Sequence, residues 1–94
     1  MVVSVKFVGS FRGFSGRSGL RMRFVKQVSV EAVVKKVVEK LPGLEAALID
    51  SGSGKPRRNL LVLVNGREIG VLDGFETVVA DGDEVVFVPV AHGG

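Results

Sequence analysis

Hydrophobic and polar positions change their period along this chain, and each change marks an element. Over residues 2–8, Val3, Val5 and Phe7 alternate with Ser4 and Lys6. A period of two is the mark of a strand with one face buried. Residues 9–19 are rich in Gly, Ser and Arg and read as a loop or a wide hairpin turn. Alternation returns over residues 20–28, with Leu20, Met22 and Phe24 on one side and Arg21 and Arg23 on the other. The pattern loosens from residue 25, where the register can change. Strand, turn, strand predicts an opening hairpin.

The period then lengthens. Val30, Val33, Val34, Val37, Val38 and Leu41 follow the spacing of one helical face. Ser29 fits an N-cap, and Glu31 suits the positive end of the helix dipole. Valine is a poor helix former, so packing must hold this helix in place. Lys35, Lys36, Glu39 and Lys40 fall on the other face, and Pro42-Gly43 ends it. Residues 44–49 fit a further helical turn, and residues 50–59 an exposed polar loop. A compact apolar strand follows over residues 60–64. Asn65-Gly66 is a hairpin signal, because both residue types tolerate positive φ. A short return strand over 68–72, a turn at Asp81-Gly82-Asp83 and a last strand over 84–90 complete the pattern.

The order β-β-α-β-(β)-β predicts an α+β fold, with one main helix across one face of a mixed sheet. The first and last strands are expected as parallel central neighbours. Val3, Val5, Phe7, Val34, Val38, Leu41, Val62, Val64, Val85 and Phe87 are the expected core. Side chains alternate along strands, so Leu61, Leu63, Val86 and Val88 should point away from it, joined by Val8. That leaves an apolar patch opposite the helix, and such patches on small domains tend to be interaction sites. Residues 1–90 read as a single domain, and residues 91–94 as a flexible tail.

Composition removes several function classes. At 94 residues the chain fits one domain, and 46% hydrophobic content argues against disorder. There is no cysteine, which excludes disulfides and thiolate chemistry, and a single histidine, His92. No apolar run is long enough to span a bilayer, and residue 1 leads straight into a strand pattern without a signal peptide. The expected location is therefore the cytoplasm, with no membrane partner. Net charge is +3. That excess fits a solvated surface, and nucleic acid is not an expected partner.

The candidate motifs mostly dissolve under inspection. Residues 51–55, Ser-Gly-Ser-Gly-Lys, hint at a phosphate loop, but Ile49 and Pro56 stand where the template needs glycine and a hydroxyl. Residues 13–16 do not complete a dinucleotide fingerprint. Asp81, Asp83 and Glu84 read as a turn and not as metal ligands. His92 has no partner acid in sequence and reads as a recognition element or a bystander. What remains is the ending Gly93-Gly94 after the last strand. A carboxylate that an enzyme must activate has to thread a narrow site, and glycine allows the closest backbone approach.

Residues 84–94, Glu-Val-Val-Phe-Val-Pro-Val-Ala-His-Gly-Gly, preceded by Asp81-Gly82-Asp83, resemble the end of MoaD/ThiS-family sulfur carriers. Val62-Leu63-Val64-Asn65-Gly66 is similar to that family's central strand and turn, and Val5-Lys6-Phe7-Val8 fits its opening. Two departures stand out. MoaD proteins usually carry two prolines before the tail where this chain has Pro89-Val90, and the His92-Gly93-Gly94 ending is closer to the ubiquitin-related modifier that thiolates tRNA. The resemblance implies the β-grasp, ubiquitin-like fold and a carrier that is not itself an enzyme. It implies that the Gly94 carboxylate is adenylated and then converted to a thiocarboxylate, with Gly93, His92 and Ala91 as the recognised tail. The implied partners are an adenylyltransferase resembling ubiquitin-activating enzymes and a sulfur acceptor such as the large subunit of molybdopterin synthase. They would dock on Val8, Leu61, Leu63, Val86 and Val88. No cofactor is expected on the chain, and ATP and magnesium belong to the activating enzyme. Molybdopterin synthesis is the first expected destination of the sulfur and tRNA thiolation the second. Conjugation to lysines, as a protein modifier, and a non-covalent β-grasp binding module are the alternatives.

Overall fold

The computed structural model describes residues 1–90. The chain opens with β1 (Val2–Phe7), in which Val3, Val5 and Phe7 are buried as the alternation requires. Residues 9–19 are not a plain loop. They hold a short helix, α1 (Ser10–Ser15), closed by Gly16 in the left-handed conformation with its N–H donating to the Arg12 carbonyl. Phe11 is why the helix forms here: it is buried, and it docks the segment on the core. β2 (Gly19–Arg23) then runs antiparallel to β1, with Met22 fully buried.

Two residues of β3 (Val28–Ser29) lead into α2 (Val30–Lys40). Ser29 caps this helix, its hydroxyl accepting from the Ala32 N–H at 3.2 Å. Val30, Val33, Val34 and Val37 are fully buried. Val38 and Leu41, expected inside, are only half-buried and pack against the core from its edge. The buried arc centres on Val30, Val33 and Val37, which rotates Val38 to the boundary. A 3-10 turn (Pro42–Leu44) and α3 (Glu45–Leu48) follow, burying Leu44 and Leu48.

β4 (Leu61–Val64) and β5 (Arg67–Glu68) form a hairpin around Asn65 and Gly66, at φ 50° and 82°. The return strand is shorter than the sequence suggests, because the chain turns into a 3-10 helix at Ile69–Val71 and buries Ile69. A further 3-10 turn (Gly74–Glu76) precedes β6 (Val78–Val79), which pairs with β3 in a two-stranded sheet. β7 (Glu84–Val88) is the last strand.

The main sheet has the order β2-β1-β7-β4-β5. β1 and β7 are parallel, and the other pairs are antiparallel. Phe7 and Phe87 are partners across the parallel pair, their rings stacked with centroids 6.1 Å apart. Both rings lie on the same side as Val3, Val5, Val62, Val64 and Val85, within the cluster that also holds the buried face of α2.

Short polar contacts fix the register. The Val2 N–H donates to Asp81 Oδ1 at 2.7 Å, and the Ser4 N–H to the Asp83 carbonyl at 3.0 Å. Asn65 Nδ2 donates to Asp83 Oδ1 at 3.0 Å, and the Glu84 N–H to Asn65 Oδ1 at 2.9 Å. Asp81 and Asp83 therefore belong to a turn that ties β1 and the β4–β5 hairpin to Glu84 at the start of β7. Among the described residues no group of three acidic or histidine side chains could hold a metal.

Replacing Phe87 tests this core. Phe87→Ala should lower the unfolding free energy by about 3–5 kcal/mol in equilibrium denaturation. A loss under about 1 kcal/mol would place Phe87 outside the core.

Candidate functional site

The site is built where β7 leaves the sheet. The Val8 N–H donates to the Phe87 carbonyl at 3.2 Å, so β1 and β7 stay together to their ends. Gly9 follows with φ 60° and ψ −136°, a conformation that side chains rarely tolerate. An added Cβ there would stand 2.9 Å from Pro89 Cγ. Glycine thus lets the chain turn from β1 into α1 while lying flat against the segment that follows β7. Beside that segment is a hollow of about 240 Å³ lined by Phe11, Leu60, Arg57, Val88 and Val90. Arg57 is held at its rim, its Nε donating to the Ala46 carbonyl at 3.0 Å.

The open sheet face begins at the same place. Leu61, Leu63, Val86 and Val88 are half-buried, between neighbours that are fully buried or nearly so. Leu61 pairs with Val88, and Leu63 with Val86, so the four form one contiguous patch on β4 and β7. Val8, 44% exposed, stands just beyond the end of β1. The structure therefore brings together all five residues expected on this face. α1 borders this patch: Phe11 lines the hollow beside Val88, and Arg12 lines a groove together with Val8 and Val86. Ala91, His92, Gly93 and Gly94 lie outside the described residues.

Residues 50–59 carry no phosphate cradle. Asp50 Oδ2 accepts from the Ser53 hydroxyl at 2.8 Å and from its N–H at 3.3 Å. These bonds, that of Ser53 Oγ first, hold the Asp50 carboxyl below its ordinary value. The loop amides thus already face a carboxylate, which would repel a phosphate.

Gly9, Phe11 and Arg57 escaped the sequence reading. Phe11 is the buried residue of α1 and Phe14 is 57% exposed, so no apolar spacing in the glycine-rich segment marks the helix. No local pattern could show that Gly9 meets Pro89, eighty residues later.

The sequence model of the ThiS family matches residues 5–94. The chain belongs to the ThiS family. Small archaeal modifier protein 3 of Haloferax volcanii is 38% identical over 94 residues, covering 99% of this chain and all of that one. The solution structure of small archaeal modifier protein 1 from Methanosarcina acetivorans superposes with a TM-score of 0.85 at 28% identity, over 99% of this chain and 96% of that chain. A chain of the Amycolatopsis orientalis BexX/CysO complex gives 0.78 at 25% identity, over 98% and 99%. The fold is thus the ubiquitin-like β-grasp, and this ThiS-family chain is of the carrier and modifier kind, not an enzyme.

Leu63→Asp separates a docking residue from a core residue. On the open face the charge should cost about 1 kcal/mol or less, since surface changes are small. It should also weaken partner binding about tenfold or more, as at the centre of an interface. Unfolding of the variant would mean that Leu63 is core. A folded variant that is adenylated as fast as wild type at limiting carrier would remove this patch from docking.

Proposed function

We propose that this ThiS-family chain is a sulfur carrier that works through the Gly94 carboxylate. The observation that carries the reading is the placement of β7. It lies at the centre of the sheet, it presents Val86 and Val88 on the open face, and it leads directly toward residues 91–94. An enzyme seated on Leu61, Leu63, Val86 and Val88, with Val8 at the edge, would receive the chain end in its own active site. The recognised tail would be Ala91, His92 and Gly93.

A carboxylate is a poor electrophile, so it must first gain a leaving group. One Gly94 carboxylate oxygen attacks the α-phosphorus of ATP and pyrophosphate departs, which gives an acyl adenylate. Hydrosulfide then attacks the carbonyl carbon, and AMP leaves with the electron pair of the C–O bond. The product is a thiocarboxylate, and nothing is oxidised or reduced. The adenylyltransferase supplies ATP and magnesium, and the carrier supplies the handle. The resemblance of residues 81–94 to the ending of MoaD/ThiS-family carriers supports molybdopterin synthesis as the first proposed destination, with the large subunit of a molybdopterin synthase as acceptor. The His92-Gly93-Gly94 ending favours tRNA thiolation next.

A second reading has its own support. The 38% identical Haloferax relative is named a modifier protein. The same adenylate would then be attacked by a lysine amine, AMP leaving and an isopeptide bond forming.

Intact mass spectrometry of the protein isolated from its own cell tests the carrier reading. A species about 16 Da heavier marks oxygen replaced by sulfur on a group that folding does not alter. Isopeptide-linked products without that species would favour the modifier instead. Extending the C-terminus by one residue should abolish both activities. Unchanged function after that extension would leave only a non-covalent binding module.

A further inference from the structure

The open face has two halves of different chemistry. β4 and β7 carry its apolar half. Across β1 and β2, Val2 pairs with Arg23 and Ser4 with Arg21. Met22 is fully buried on the other side, so both arginines stand on the open face, and both are exposed. Arg12 from α1 joins Arg21 in lining a groove of about 630 Å³ that also touches Lys6 and Val86. The halves meet at Lys6 and Glu84, whose charges neutralise each other at 2.8 Å. The two ion pairs among the described residues engage Lys6 and Lys35. Arg12, Arg21 and Arg23 engage in neither of these pairs; Arg12 and Arg21 border Val86 across the groove, and Arg23, opposite Val2, extends the strip along the same face away from the patch.

We propose that the partner seated on the apolar half is a protein with an acidic strip flanking its own apolar centre, and that Arg12, Arg21 and Arg23 steer it into place. The inference rests on the docking reading of this face. Three unpaired cations on one edge of a patch raise the encounter rate with an anionic surface and repel a cationic one. A second copy of this chain fits poorly, because it would bring the same cations with it. RNA fits less well than protein. Single strands stack on exposed rings, whereas the strands carry no aromatic side chain on this face: Phe7 and Phe87 are buried on the other.

Carrier adenylation by the cognate adenylyltransferase, followed as pyrophosphate release from about 30 mM to about 300 mM salt, tests the proposal across a range where screening grows strong. Wild-type kcat/KM should fall as salt rises. The Arg21→Glu/Arg23→Glu variant should lose about tenfold or more at low salt and about twofold at high salt, with kcat unchanged. Arg12→Glu, on a different element, should move the same way and covers the case in which the pair disturbs β2. Leu63→Asp should be impaired at every salt concentration. If the arginine variants match or exceed wild type at low salt while Leu63→Asp is impaired, steering is refuted and docking stands. If all variants behave as wild type, both fall. Tight binding of a fluorescein-labelled oligouridine, lost in the arginine variants while adenylation is unchanged, would assign the strip to RNA and overturn the proposal.

Discussion

The parallel ladder between β1 and β7 is the constraint on which the rest depends. Parallel neighbours cannot be joined by a short turn, so everything between them must cross over and return. Here that crossover contains α2, whose valines close the core over Val5, Phe7, Val85 and Phe87. Once β7 is central, β1 flanks it on one side and β4 on the other. The turn of residues 81–83 and the side chain of Asn65 hold that arrangement in register. A slip of one residue would exchange Phe87 for Val86 and bury the open face in place of the core.

Under the proposed function this geometry would link stability to docking. One face of β7 fills the interior, and the other leaves Val86 and Val88 half-buried on the opposite face, where the proposed partner would sit. The strand that anchors the core also delivers the chain end. Gly9 and Pro89 set the path by which the chain leaves the sheet, because a side chain at Gly9 would push that segment aside. Under the steering proposal, the arginines of β2 and α1 would add direction to an apolar patch that alone discriminates little between partners.

Much of this was legible in the sequence because the periods were clean. Alternation in residues 2–8, the apolar run of residues 84–90 after the Asp81-Gly82-Asp83 turn, and the Asn65-Gly66 pair placed β1, β7 and the β4–β5 hairpin; Val62 and Val64, expected inside, are buried, and Leu61 and Leu63, expected outside, are half-buried. Less was legible where tertiary contacts override local pattern. α1 sits in a stretch whose glycines and serines favour loops, and Phe11 makes it a helix only because a core lies beneath it. β3 and β6 are two residues each, too short to show a period, and exist by pairing with each other. Val38 and Leu41 matched the helical face yet reached only the boundary, since spacing gives an arc and not its depth. The cationic strip was half visible in Arg21 and Arg23, but its contiguity with the apolar patch needed the β1–β7 pairing.

The central claim is that the free face of the sheet, continuous with the chain end, is where the partner sits. Backbone amide shifts of the labelled carrier, titrated with its adenylyltransferase, read this residue by residue. The account predicts shifts and broadening at Leu61, Leu63, Val86 and Val88, spreading to Arg21 and Arg23, with α2 unmoved. Perturbation concentrated on the exposed side of α2, at Lys35, Glu39 and Lys40, with the sheet amides unchanged, would contradict it.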